Sequence, residues 1–384
     1  MFQKDQQLHC GELNTLRTTY RNLSVVIIDE ISMVGNKQFA FIHERLSLLN
    51  GTKADFGNLN IICVGDLYQL QPVGEKWIFS DMDIGLARNL WKEHFRMFEL
   101  TDIMRQKDDL QFAEMLNRLR HNQLTEEDRN LIESHKISQN SPDYPKEAQH
   151  LFTQNKYVND FNKNMIDSLD TLKVNVEADT DITHPSKLEK DVKSRLLSQI
   201  NKNENHSITA NLPSQLTIAV NMTYDVSVNI DVLDGLTNGS TCTVQYIEFD
   251  ATKSTTRPKI VWVLFCDQQI GLKRRSQYCS YYQNQKINKM WTPIFEATRS
   301  FMYNRKTYER IQFPIMPSAA KTVHKSQGST VDKLVVDLKS GRSNPGIHYV
   351  ALSRVRKLKN LHILDFNEAR LTLDESVNIE MQRL

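Results

Sequence analysis

Two short apolar runs constrain this chain more than any other feature. VVII at 25–28 and IICV at 61–64 each end abruptly in polar residues. Between them, NKQFAFIHERLSLLN carries Phe39, Ile42, Leu46 and Leu49 at helical spacing. Strand, helix, strand predicts a parallel α/β sheet, because parallel neighbours need a crossover and a helix supplies it. At 384 residues the chain can bury large cores in two domains or more.

Further along, 108–120 (Leu110, Ala113, Leu116, Leu119) and 126–135, with Thr125 as N-cap, read as amphipathic helices. Tyr157, Val158, Phe161, Met165 and Leu169 mark another. Residues 171–210 are polar and weakly periodic, a set of short helices or a long surface excursion. From 212 to 312 the pattern turns β-like, with TCTVQYIEF and KIVWVLFC as strands and DGLTNGS as a turn. A small β-barrel inserted in a second α/β domain is expected there. Helix and strand then alternate again through SAAKTVHKSQG, KLVVDL, PGIHYVALSRVRK and LHILDF. The resulting division is 1–96 for a partial first domain, 97–211 with 313–384 for the second, and 212–312 for the insertion.

Composition narrows the class. Hydrophobic content of 40% and charged content of 24% fit a soluble globular protein. The longest apolar run, IVWVLFC, is strand-sized, so no membrane partner is expected. MFQKDQQLHC lacks the apolar core of a signal peptide. The five cysteines show neither CxxC pairing nor zinc spacing and read as free thiols of a reducing compartment. A net charge of +2 neither requires nor excludes a nucleic-acid partner. Lys273 to Arg275 form a basic cluster, a solvated loop or a targeting signal.

Several segments carry chemistry. VVIIDEISMVG drives a strand into adjacent acids, Asp29 and Glu30, where α/β sheets place ligands. There an Asp can hold Mg²⁺ and a Glu can polarise water; an acidic turn is the plain alternative. GDLYQLQPV (65–73) allows a tight exit at Gly65, a turn-capping Asp66, and Gln69, long enough to touch both a phosphate and a water. LTDIMRQKD (100–108) offers Arg105 and Gln106 before a helix; such an Arg serves phosphate or merely faces solvent. AAKTVHKSQG (319–328) puts Ala319, Ala320 and Val323 on one helix face, stops at Gly328, and crowds Thr322, His324, Lys325, Ser326 and Gln327 on the other side. PGIHYVALSRV (345–355) starts with Asn344 as N-cap and Pro345 as first helical residue. It carries Arg354 to the edge of an apolar stripe, where the guanidinium needs an anion, a carboxylate or a phosphate.

In this order the segments resemble the motif series of the Pif-one family of DNA helicases, in the superfamily-one group related to RecD. VVIIDEISMVG resembles its Walker B motif, GDLYQLQPV its motif III (with Gln71 where a Pro is usual), LTDIMRQ its motif IV, TVHKSQGST its motif V and YVALSRV its motif VI. LFTQNKYVNDFN and VNIDVLDGLTNGS match further landmarks, and the wording is closest to helicases of mobile elements. The resemblance implies two RecA-like domains, the first incomplete, an ATP and Mg²⁺ cleft, and 5′-to-3′ movement on single-stranded DNA with unwinding of forked duplexes. It implies Asp29 on the metal, Glu30 activating water, Gln69 sensing the γ-phosphate, Arg105 and Arg354 stabilising transition-state charge, and Gly328 at the nucleotide. Thr322, His324, Lys325, Ser326 and Gln327 would serve the DNA side. A monomer is the family expectation, and the nucleus is the expected location, with the mitochondrion second.

One part is missing. The phosphate cradle of this mechanism is a GxxxxGK[ST] loop, and no Gly-Lys dipeptide occurs in the 384 residues. The chain therefore reads as a family member cut off at its amino end. Expected consequences are a weak hold on ATP and a bare hydrophobic sheet edge prone to association. A catalytically dead remnant that still binds single-stranded DNA, or an incomplete gene model, is the alternative.

Overall fold

The computed structural model describes residues 10–82, 88–183, 190–202, 208–250, 257–339 and 344–384. It divides into two compact units, 1–154 with 322–384, and 155–321. Gly341 and Gly346 come nearest to the GxxxxGK[ST] spacing but are followed by Ile347 and His348, and Gly341 lies outside the described residues.

In the first unit the two apolar runs pair in parallel, Val25–Ile28 beside Asn60–Cys63, with Ile27 opposite Ile62. The expected helix between them runs Asn36–Asn50, and its Phe39, Ile42 and Leu46 pack beneath the sheet with Phe56 and Trp91. Three further parallel strands, Gln149–Phe152, Leu334–Asp337 and Leu361–Asp365, pair through the central 334–337 strand. Helix Leu110–Arg120, capped by Asp109, lays Phe112, Met115, Leu116 and Leu119 against Leu151, Val336 and Ile363. Helix Glu126–Ser134 begins at Thr125 with a reciprocal capping box through Asp128, as the sequence predicts. These two parallel sheets are consistent with the RecA-like halves expected.

The sequence did not announce the last helix, Glu375–Arg383. It returns to the first sheet's core with Val377, Met381 and Leu384. The Trp91 indole N–H donates to the buried Glu380 carboxylate at 2.7 Å, and that of Trp77 donates to Asp374 at 2.7 Å. The other face of the first sheet is open: Val25, Ile27, Ile62 and Val64 are 40%, 67%, 50% and 43% exposed. The expectation concerned an edge of this sheet, whereas these four residues share one of its faces.

The second unit is antiparallel. Its main sheet runs in the order Thr292–Ile294, Pro258–Phe265, Thr241–Phe249, Thr223–Val226, Ile315–Pro317. Both long predicted strands are present. The order is linear, and its two end strands do not pair among the described residues. The unit starts earlier than the expected 212. Helix Asn155–Ser168 buries Ile166 in its core, and strands Lys173–Glu177 and Asp179–Ile182 pair with Gln215–Ala219 and Lys306–Gln312. The polar stretch 171–210 thus holds two strands and a helix, Lys190–Asn201. Its order rests on fully buried Arg310, which donates to Thr180 Oγ1 (2.9 Å), the Leu212 carbonyl (3.0 Å) and Asn201 Oδ1 (2.7 Å). Polar residues are needed there to receive that guanidinium, which is why hydropathy alone hides the strands.

Two buried histidines of the first unit set an acid limit. His150 is fully buried, with its ring nitrogens against the Ala148 carbonyl and the Tyr144 hydroxyl, and burial pushes its pKa down to about 4. His348, packed edge-on to Phe366, is likewise pushed down to about 4 by burial, aided by Arg370. Between about pH 6.5 and 4 the unfolded chain binds protons that the folded chain refuses, so stability falls as pH drops through that window. Each site is expected to cost on the order of 3 kcal/mol by pH 4. Urea unfolding at pH 7 and pH 4.5 checks this: His348→Leu should flatten the dependence, and an unchanged slope would refute it.

Candidate nucleotide site

The site grows from the ends of the first two strands. Val64 N donates to the Ile28 carbonyl (2.8 Å) and Ile31 N to the Val64 carbonyl (3.0 Å), so the chain leaves both strands side by side. Gly65 permits this. A Cβ there would lie 2.8 Å from the Ile31 nitrogen. The turn forces Glu30 into the left-handed region at φ 51°, ψ 48°, a strained setting for a non-glycine residue of the kind found at working sites. The exposed Asp29 steadies it by accepting Glu30 N at 2.8 Å.

Motif V residues meet Glu30. Gln327 Nε2 donates to Glu30 Oε2 at 2.8 Å and to Ser32 Oγ at 3.3 Å. Gly328, at φ 77°, presses so close that a Cβ would sit 3.1 Å from Glu30 Oε1. Only Val323–Ser326 is helical here, and Ala320–Thr322 is strand, so the longer predicted helix is shorter in fact. That changes the DNA-side residues. Thr322 is buried and caps the turn, with Oγ1 accepting Lys325 N. Ser326 is buried and donates to the Val323 carbonyl at 2.8 Å. Gln327 faces the acid. Lys325 is exposed, and half-buried His324 contacts Asn344 at 3.3 Å, with burial lowering its pKa.

The arginines stand close by. Arg105 donates to Thr330 Oγ1 (3.0 Å) and the Ser353 carbonyl (3.2 Å), while buried Gln106 bonds the Ser353 and Val355 carbonyls (3.2 and 2.8 Å). Arg354 is 2% exposed and donates only to neutral groups: the Val350 carbonyl (2.7 Å), the Ser329 carbonyl (3.3 Å) and Ser353 Oγ (2.7 Å). It forms no ion pair among the described residues. Burial first, then the neighbouring charge of Arg105, pushes its pKa down to about 10. Burial lowers that of Arg105 as well, opposed by Tyr349 and Glu30. Two guanidiniums without a carboxylate, one of them sealed in protein, is a costly arrangement that an anion relieves.

Motif III completes the set. Gln69 holds its Oε1 buried and unpartnered, as Gln327 and Asn344 do their side-chain oxygens. The helix Ile347–Leu352, which leads into the turn that holds Arg354, has Gly346 at φ 78° in the N-cap position, not Asn344 followed by Pro345. The reason is close approach: a Cβ at Gly346 would fall 2.5 Å from the Tyr68 carbonyl. Arg120 escaped sequence reasoning. It bonds Asp66 Oδ1 at 2.8 Å and lies 4.7 Å over the Tyr68 ring and 6.0 Å from that of Tyr349. In a helix otherwise legible from its apolar stripe, nothing distinguishes this Arg from its solvent-facing neighbours.

Among the described residues no three His, Cys, Asp or Glu side chains group to hold a metal. Asp29 alone suits a Mg²⁺ ion that arrives on phosphates, the usual manner for this ion.

The chain is similar to several known proteins. A family model described as an AAA domain matches residues 5–141. ATP-dependent DNA helicase Pif1 of Bdellovibrio bacteriovorus is 26% identical over 366 residues, covering 94% of this chain and 71% of that protein. The Candida albicans protein of the same description is 26% identical over 419 residues, covering 94% of this chain and 45% of the relative. The fold is similar to the crystal structure of Pif1 helicase from Candida albicans (TM-score 0.73, 23% identity, 97% of this chain and 80% of that one). It is also similar to Pif1 helicase from Bacteroides in complex with ADP-AlF3 and single-stranded DNA (TM-score 0.69, 22% identity, 99% and 79%).

Proposed function

We propose that this chain is a member of the Pif1 (Pif-one) family of ATP-dependent DNA helicases, and that its cleft is the working half of an ATP-driven, 5′-to-3′ translocation site on single-stranded DNA. The observation that carries this is Arg354, a sealed guanidinium with no carboxylate. ATP would supply the polyanion, and Asp29 would hold a Mg²⁺ ion bound with it. Glu30, fixed by its backbone turn and by Gln327, orients and deprotonates the attacking water. Arg105 and Arg354 would take the charge that spreads over the transferring phosphoryl group, and Gln69 would donate its Nε2 amide to that group while its unpartnered Oε1 accepts from the attacking water. Because Gln327 bonds Glu30 while Lys325, two residues earlier, faces solvent, a short segment links the acid to the DNA side.

In this reading Lys325 and His324 carry DNA contact, and Thr322 and Ser326 shape their turn. Partners are single strands and forked duplexes, the compartment is the nucleus, and the open face of Val25, Ile27, Ile62 and Val64 favours self-association. Binding to an unstructured oligonucleotide is expected to be weak and salt-sensitive. About three phosphate contacts give a slope near −2 in a plot of log affinity against log salt, and Lys325→Ala should lower the slope. Affinity indifferent to salt would argue against a phosphate-led contact. The runner-up, a non-catalytic remnant, is separated by the transcript upstream of the Met1 codon. An in-frame GxxxxGK[ST] supports the helicase reading, and an in-frame stop supports the remnant.

A further inference from the structure

We propose that the second unit carries a DNA contact of its own, at the turn between strands Thr223–Val226 and Thr241–Phe249. Its tip is apolar: Leu233 is 94% exposed and Val232 63%. Leu272, which opens the helix Leu272–Gln277 abutting this turn, is 49% exposed. The tip is held, not loose. Asp234, 5% exposed, accepts backbone N–H bonds from Lys273 (2.7 Å) and Arg274 (2.9 Å), and its carbonyl accepts Gly271 N at 2.8 Å. Ile230 N and Asp231 N both donate to the Leu236 carbonyl, and the Leu236 side chain is fully buried. So the chain spends a buried carboxylate and a core leucine to fix a turn that presents two aliphatic side chains to water.

The charge beside it selects the occupant. Lys273 is matched by Asp231 at 2.9 Å. Arg274 and Arg299 have no carboxylate partner among the described residues, and Arg299 is anchored to the turn through the Asn229 carbonyl at 2.8 Å. A rigid aliphatic knuckle flanked by unmatched guanidiniums fits an unstacked or end-of-duplex base with phosphates on either side, as in aliphatic wedges that pack on base steps. This contact rests on the DNA-binding reading above.

The test uses the full chain and a fluorescein-labelled single strand, with a frayed-end duplex of the same sequence as a second probe. Leu233 is almost wholly in solvent, so substitutions there spare the fold, checked by circular dichroism. Leu233→Asp is expected to weaken binding at least fivefold. Arg274→Gln with Arg299→Gln should lower the salt slope by roughly one. Leu233→Trp should retain affinity and show quenched indole emission on DNA addition. Wild-type affinity in Leu233→Asp, or unquenched emission from Leu233→Trp while DNA is bound, overturns the proposal and leaves the Lys325 contact standing. Failure of the unmodified chain to bind either DNA overturns both.

Discussion

Purified as its 384 residues, the chain is expected to hydrolyse ATP no faster with single-stranded DNA than without it, and no faster than its own Glu30→Gln variant. Glu30, Gln69, Arg105 and Arg354, proposed above as acid, amide sensor and arginines, are all present, so the expected deficit lies in one component. Backbone N–H groups and a lysine of a GxxxxGK[ST] segment normally hold the phosphates, and its hydroxyl shares the metal with the acid at Asp29. No segment of this sequence can do that. Removing a single well-aimed donor from a charge-stabilising site costs about 10²–10³ in rate, and the loop supplies several, so a loss beyond about 10³-fold is expected. A steady-state phosphate-release assay decides. Strong DNA-stimulated turnover that disappears in Glu30→Gln would show that some other part of the chain holds the phosphates.

Replacing Arg354 with methionine is expected to leave the fold as stable as before, or to stabilise it by about 1–4 kcal/mol, while abolishing its response to polyphosphate. The guanidinium is buried, satisfied only by carbonyls and a hydroxyl, and pushed down to about 10 in pKa. Such a charge opposes folding until an anion arrives. Thermal unfolding with and without millimolar pyrophosphate and Mg²⁺ reads both halves. The unmodified chain should gain stability with the ligand, since only the folded state binds it, and Arg354→Met should not. A variant destabilised by several kcal/mol, with its pyrophosphate response intact, would make Arg354 a structural residue.

The α/β core was legible because its signals are local. VVII and IICV pair as strands, Phe39, Ile42 and Leu46 line the inner face of their helix, and Thr125 caps where it should. The site was legible as a cast of residues but not as an arrangement. Thr322 and Ser326 looked available and are instead consumed by the turn they build. Arg120 and Gly346 gave no local sign, because what fixes them is Asp66 and the Tyr68 carbonyl, far away in sequence. The strand at 179–182 was hidden for the same reason, since its Thr180 bonds Arg310 some 130 residues later, and the strand at 173–177 pairs with 215–219. Polar residues whose partners are distant carry no periodicity of their own.

The final helix has a consequence for how the protein is made. Val377, Met381 and Leu384 belong to the core around Phe39, Trp77 and Trp91, and the Trp91 indole waits for Glu380. During synthesis the segment around Phe39, Trp77 and Trp91 therefore stays short of these packing partners until residues 375–384 have left the ribosome. For that whole interval its apolar strands depend on chaperones or on speed. A stop codon just before Glu375 would strip the core around Phe39, Trp77 and Trp91, some 300 residues earlier, of its covering helix.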